Sequence, residues 1–513
     1  MHRPLLVIFI SFASIFKETS TFAIRGSVNE SPLAKWPTKS YIRGCYYTNW
    51  SQYRPGSWRF LPENYEPGLC THLFYAFAVM RDNFTLKPFE WNDEDSGWGT
   101  RGMYSRINAL KLKQPDLKTL LSFGGYKFSQ EHSTLIREMV MSAQNRRIFI
   151  DSAIKYVRQY DFDGFDFDWE YPEWDTKTAY TTLIQELREA MDNEARITRK
   201  QRLLLTAAVA ASIDRVSTGY DGRALANSIL LSYFDFINVM TYDFHGAWET
   251  ETGFSSPLFD RDGDRLSVSS SMIYWSQNQS FPKDKLVMGL AAYGRGWMLP
   301  NPSSITPVGA VAVGPSPAQP TTQTPGIVAY YEICNMIESG QYGVQYDLVQ
   351  RVPYLFKDNL WIGYDDVGSF NEKLDWLTTN GYGGAFVWSL DFDDFLGHCS
   401  STGGVKYPLI SAVKAKLGQS ETDISGTRPS YPDKVPLFRA TAPTLQPSFL
   451  ATAEPFQCPD SGPGYFADPD SCGFFYQCDP WGGAYHRPCP DGLHFNKAIF
   501  VCDWPASAKC SEQ

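Results

Sequence analysis

From residue 41 to 394, short runs dense in apolar and aromatic residues alternate with longer stretches in which apolar positions recur every three or four residues. A short apolar run bounded by turn residues reads as a strand buried on both faces, and a stripe at helical spacing reads as a helix laid across it. Eight strand-like segments follow one another: YIRGCYYTNW from 41, HLFYAFAVM from 72, KTLLSFGGY from 118, GFDFDWEYP from 164, LLLTAAVA from 203, FINVMTYDFHG from 236, KLVMGLAAYG from 285 and GGAFVWSLDFDD from 383. Between them Phe149, Ala153, Val157 and Tyr160 form one helical stripe, Leu183, Leu187 and Met191 another, and Leu409, Val413 and Leu417 a last one. Strand and helix in eight-fold alternation predict an α/β fold closed into a barrel, spanning 41–417.

Three stretches break the rhythm. Between Gly294 and Gly383 the gap is too long for one helix and predicts a small α+β insertion after strand seven, at about 298–366. Residues 418–456 are rich in Ser, Thr and Pro and poor in apolar clusters, as in an extended linker. Residues 457–513 hold six Cys among Gly, Pro and aromatic residues and predict a separate β-type module too small to fold without covalent bridges.

The N-terminus has a basic start and an apolar stretch, Leu5 to Phe16, too short to span a bilayer. Residues 1–23 read as a secretory signal peptide cleaved before Ile24, and the protein as secreted and extracellular. The ten Cys agree: four are scattered and six crowd the C-terminus, even counts that suit disulfides better than zinc in an exported chain. Sequons stand at Asn29, Asn49, Asn83 and Asn278. The formal charge of −10 leaves no general basic field for nucleic acid or an anionic membrane. The aromatic share of 15 % is high and suits stacking on flat ligand faces.

The most informative segment is DGFDFDWEYP at 163–172. Strand alternation sends Asp166, Asp168 and Glu170 to one face and Phe165, Phe167 and Trp169 to the other. Three acids in one partly dry space oppose one another's ionisation, so at least one retains a proton near neutral pH, as a general acid requires. Solvation of a strand end, or a metal site, is the plainer reading of such a triplet. The aromatic residues at neighbouring strand ends favour sugar chemistry instead.

Here the sequence resembles glycoside hydrolase family 18, the chitinase and chitinase-like family, over nearly all of 41–417. DGFDFDWE resembles the family signature DxxDxDxE; SFGG at 122–125 and MTYDFHG at 240–246 resemble its strand-three and strand-six motifs, and YAFA at 75–78 and VWSLDFDDF at 387–395 add to the match. The resemblance implies a TIM barrel and retaining hydrolysis of β-1,4-linked N-acetylglucosamine polymers, with the substrate's acetamido oxygen as nucleophile and no cofactor or metal. It implies Glu170 as general acid and base, Asp168 and Asp166 as its charge partners, and Tyr242 and Asp243 as holders of the acetamide. Trp388 would be the floor under the reacting sugar, with Tyr293 and Arg295 as walls and Trp50, Tyr47, Met240 and Trp248 as further contacts. Where many family members have Trp after the strand-three GG, this chain has Tyr126, a smaller platform. His245 reads as structural. Asp243 or Asp391 could still serve as a second, distant carboxylate.

The tail, with FYQCDPWGGAYHRPCPDGLHFN and VCDWP, resembles the peritrophin-A type chitin-binding domain, carbohydrate-binding module family 14. This implies pairing of Cys458 with Cys478, Cys472 with Cys510 and Cys489 with Cys502, and Trp481, Tyr485 and Trp504 as sugar platforms. The barrel Cys would pair as Cys45 with Cys70 and Cys334 with Cys399. The reading is a monomeric chitinase whose partners are chitin and its oligomers; its rival is a non-catalytic chitin lectin, a role expected when the acid Glu is replaced, and Glu170 is present.

Overall fold

The computed structural model describes residues 40–97, 99–226, 233–261, 263–301 and 308–418, together with 464–469, 471–478, 484–489, 494–497, 501–503, 508 and 510. The proposed signal peptide, the linker, Trp481, Trp504 and Cys458 lie outside these residues, as do the side chains of Cys478, Tyr485 and Cys502.

Eight parallel strands close on themselves: β1 (Ile42–Thr48), β2 (His72–Met80), β3 (Lys118–Gly124), β4 (Gly164–Asp168), β5 (Leu204–Val209), β6 (Phe236–Val239), β7 (Leu286–Ala291) and β8 (Gly384–Trp388). Each pairs with its sequence neighbours, and β1 pairs with both β2 and β8, which completes a TIM barrel. The strands read as continuous apolar runs because side chains pack on both faces, inward on the barrel core and outward on the helices. In β4, Phe165 and Phe167 point outward to Phe149 of the helix Ala143–Gln159 and to Tyr180 of the helix Lys177–Thr198. Leu183, Leu187 and Met191 on the latter helix are fully buried, each contributing about 1.5–3 kcal/mol relative to exposure.

Between β7 and β8, strands within Tyr293–Gly363 form a second, antiparallel sheet, with the helix Tyr330–Glu338 beside it. This sheet begins at Tyr293, directly after β7. The disulfide Cys45–Cys70 ties β1 to the segment ahead of β2, and Cys334–Cys399 ties the inserted helix to the segment after β8.

The C-terminal unit has a three-stranded antiparallel sheet (Gly464–Ala467, Phe474–Cys478, Ala484–Pro488) and a hairpin of His494–Asn496 with Val501–Asp503. Cys472–Cys510 bridges it, and Cys489 is also disulfide-bonded. Among the described residues Phe475 stacks on Phe495 and His486 packs between Phe474 and Tyr476, aromatic contacts reinforced by covalent bonds.

Candidate active site

β4 delivers its acids in order of depth. Asp166, fully buried, accepts hydrogen bonds from Tyr46 Oη (2.8 Å), Ser122 Oγ (2.7 Å) and Thr206 Oγ1 (2.6 Å). Asp168, two residues nearer the mouth, is also buried, and its Oδ1 has no hydrogen-bond partner among the described residues. Glu170 follows the strand end, and its peptide is bracketed from one side: its N–H donates to Ser129 Oγ (3.0 Å) and its C=O accepts from Gln130 Nε2 (2.8 Å).

The SFGG motif makes that approach possible. Gly124 and Gly125 have φ of 109° and 79°, and a Cβ on Gly124 would lie 2.1 Å from the Asp168 carbonyl oxygen. Gly125 N–H donates to that same oxygen (2.9 Å), locking β3 to β4 beside the acids.

Burial raises all three carboxyls. On Asp166 the three hydroxyl donors oppose the shift. Asp168 is pushed well up by burial and then by the charges of Glu170 and Asp166. Glu170 is pushed up to about 7 by burial, with Asp243 adding to the shift and a hydrogen bond from Tyr171 opposing it. Between about pH 4.5 and 7 the folded chain therefore holds a proton on Glu170 that the unfolded chain has released. Native-state proton uptake in that window means stability falls as pH rises through it. Thermal unfolding across pH 4–8 is expected to show wild type losing about 1–3 kcal/mol more than Glu170→Gln over this window, and parallel profiles would remove the assignment.

Opposite the acids, Asp243 adopts a left-handed backbone (φ 57°) and is clamped. Tyr293 Oη donates to its Oδ1 (2.7 Å), and Arg295 forks across both oxygens from Nε (2.8 Å) and Nη2 (2.7 Å). The Arg295 guanidinium lies 5.0 Å from the ring centre of Trp248, which is 60 % exposed on the rim. Tyr293 and Arg295, expected as walls, thus hold Asp243 directly. Asp391 is equally committed: it is fully buried and accepts from Thr48 Oγ1 (2.8 Å), Ser389 Oγ (2.6 Å) and Arg54 Nε (2.8 Å). Each of these carboxylates is thus held by an arginine.

Trp388, at the end of β8, lies over the barrel core with ring centres of Tyr46, Phe77 and Trp50 at 5.3, 6.0 and 6.2 Å. Met240 and Tyr242 belong to the same inner cluster. Tyr126 is 66 % exposed at the start of the helix Tyr126–Glu131, directly after the glycine pair.

One expectation is corrected. Tyr47 does not face the cleft: it is fully buried between barrel and helices, stacked on Tyr75 at 5.3 Å, with its hydroxyl on Met103 Sδ. Alternation puts its neighbour Tyr46 inside, where it reaches Asp166, and that role was missed. Within β1, Arg43 shares a face with Tyr47 and Thr48 shares one with Tyr46, so each face carries one polar residue and neither is marked as the outer one. Asn49, read as a sequon, is fully buried and donates to Asp93 (3.2 Å), so the folded chain has no room for a glycan there; Asn83 and Asn278 are exposed. His245 bridges Glu249 (3.0 Å) and Asp264 (2.8 Å), away from the acids of β4.

A parallel barrel with stacked acids at the C-terminal end of a strand, beneath an aromatic floor, defines a glycosidase-type site. The chain belongs to the glycosyl hydrolases family 18, whose family model matches residues 43–393, and a chitin binding Peritrophin-A domain matches residues 458–510. It is 40 % identical over 516 aligned positions to a probable endochitinase of Caenorhabditis elegans, covering 95 % of this chain and 81 % of the relative. Among solved structures, an immunomodulatory active chitinase from Trichuris suis is 44 % identical with a TM-score of 0.69, covering 74 % of this chain and all of that one. Human YKL-39, described as a pseudo-chitinase with retained chitooligosaccharide binding, is 40 % identical with a TM-score of 0.67 over the same shares.

Proposed function

We propose that this protein is a secreted chitinase that cleaves β-1,4 linkages between N-acetylglucosamine units with retention of configuration, and holds chitin through residues 457–513. The observation that carries the mechanism is the ladder of buried Asp166 and Asp168 leading to half-buried Glu170, with the charge of an Arg295-bound Asp243 felt at Glu170. A double displacement needs a nucleophile, and with Asp243 and Asp391 engaged the substrate's acetamido oxygen supplies it. That oxygen bonds to the anomeric carbon as the glycosidic C–O bond breaks, and the Glu170 proton goes to the leaving oxygen. Asp168 takes the developing positive charge on the acetamide nitrogen. Water then attacks the anomeric carbon, gives its proton to Glu170 and opens the ring, so two inversions give net retention.

The C-terminal module, tethered by residues 418–456, raises enzyme concentration at an insoluble polymer without a new contact in the cleft. Proton NMR of a fresh digest of a soluble chitin oligomer is expected to show new reducing ends first as the β anomer. Initial α anomer would replace the mechanism with a single displacement. Oligomer binding without turnover by folded wild type would replace the enzyme with a lectin.

A further inference from the structure

A net charge of −10 averages over two unlike ends of the barrel. The acids of the cleft stand at the C-terminal ends of the strands. At the opposite end, the helix Lys177–Thr198 runs into the loop before β5, and Arg196, Arg199, Lys200 and Arg202 fall within seven residues, uninterrupted by an acid. All four are exposed.

Three acids near them are already engaged. Glu194 pairs with Arg158 (2.6 Å), Asp163 with Lys111 (2.7 Å) and Lys118 (3.8 Å), and Asp235 with Arg202 and with Arg188 (3.4 Å). Asp163 and Asp235 also accept backbone N–H groups, from Thr119 (2.9 Å) and Leu205 (2.8 Å). Among the described residues, no carboxylate pairs with Arg196, Arg199 or Lys200. The loop is firmly seated: Arg158 Nη2 donates to Gln201 C=O (2.8 Å), and Arg199 occupies the left-handed region at φ 59°. Arg196 is turned to Asn193 Oδ1 (2.7 Å) and the Lys200 charge is felt at Glu194, which leaves Arg199 and Lys200 as exposed cations on a seated loop that lose little order on meeting a polyanion.

We propose that this end of the barrel is a docking surface for a sulfated linear polysaccharide. The Arg199 fork can take two sulfate oxygens, with Lys200 beside it as a point charge. The disulfides place the folded chain in an oxidising environment, where sulfated glycans are polyanions of the required linear form. The surface lies across the barrel from Glu170, so a chain bound there leaves the cleft open and acts as a second tether, for a polymer the enzyme does not cut.

The test uses the full chain and heparin as probe, with affinity measured from about 50 to 300 mM salt. Wild type is expected to bind with an affinity that falls steeply with salt, and the neutralising pair Arg199→Asn, Lys200→Gln to bind about tenfold more weakly with a shallower salt slope. Asn tolerates the left-handed backbone at 199. Removal of two equally exposed charges elsewhere, Arg147→Gln with Lys406→Gln, is expected to leave affinity within about twofold, and all three proteins to turn over a soluble chitin oligomer alike. Absence of heparin binding by wild type, or equal weakening by both pairs, would overturn the proposal. Ile197, 67 % exposed inside the run, is the side chain a lipid surface would use. Binding to phosphatidylserine vesicles that heparin does not displace and Ile197→Ser abolishes would overturn it in favour of a membrane.

Discussion

Glu170→Gln is expected to lower turnover of a soluble chitin oligomer by about 10²- to 10⁴-fold while oligomer affinity is kept. Gln has the shape of the carboxylic acid and can donate a hydrogen bond, but it cannot release a proton to the leaving oxygen or accept one from water. The bracketing bonds from Ser129 and Gln130 reach the peptide of residue 170, not its side chain, so the backbone there stays in place. Asp168 loses the neighbouring charge that helps raise it and ionises more readily, which leaves one carboxylate to receive the acetamide. The measurement pairs initial rates with oligomer binding followed by Trp fluorescence. Turnover within threefold of wild type would remove Glu170 from the chemistry, and lost binding would make it a substrate holder.

Lys373→Ala is expected to cost about 3–5 kcal/mol of stability. The Lys373 ammonium is fully buried in the helix Val367–Thr379 and donates to both oxygens of Asp365 (2.6 and 2.7 Å) and to Ser256 Oγ (3.1 Å). Truncation leaves the Asp365 carboxylate buried with Ser369 Oγ as its one remaining side-chain donor among the described residues (2.7 Å). Ser256 also donates to Thr241 C=O (2.7 Å), and Ser255 holds the Asp243 backbone, so the lost ammonium loosens the loop behind the acetamide holder. Denaturant unfolding reads the cost. Lys373→Met with Asp365→Leu, which removes both charges, is expected to recover most of it. A loss under about 1 kcal/mol for the single variant would mean that water reaches the pair.

Much of this molecule is legible in one dimension. The eight apolar runs appear because a strand covered on both faces needs no polar position, and the stripes at Leu183, Leu187 and Met191 because one helix face meets them. The acid ladder is legible for a related reason: residues 166, 168 and 170 share a face by strand geometry alone, whatever the rest of the fold does. The glycine pair at 124 and 125 is a local demand for positive φ that the sequence displays openly.

What stayed hidden is what barrel closure decides. Nothing local says that Tyr46 rather than Tyr47 faces inward, because each side of β1 carries one polar residue, Arg43 or Thr48, and parity is set only when β1 pairs with β2 and β8. Arg54 and Asp391 are 337 positions apart, and Arg295 and Asp243 are 52 apart; these pairs fix two carboxylates in place, and neither has a sequence signature. The gathering of Arg196, Arg199, Lys200 and Arg202 at the end of the barrel opposite the acid ladder is likewise invisible in a net charge. Sequence determined each element's period, and with it which neighbours share a face, because that depends on backbone geometry over a few residues. Tertiary structure alone decided which faces meet, because burial and pairing energies are realised only when distant segments close around one core.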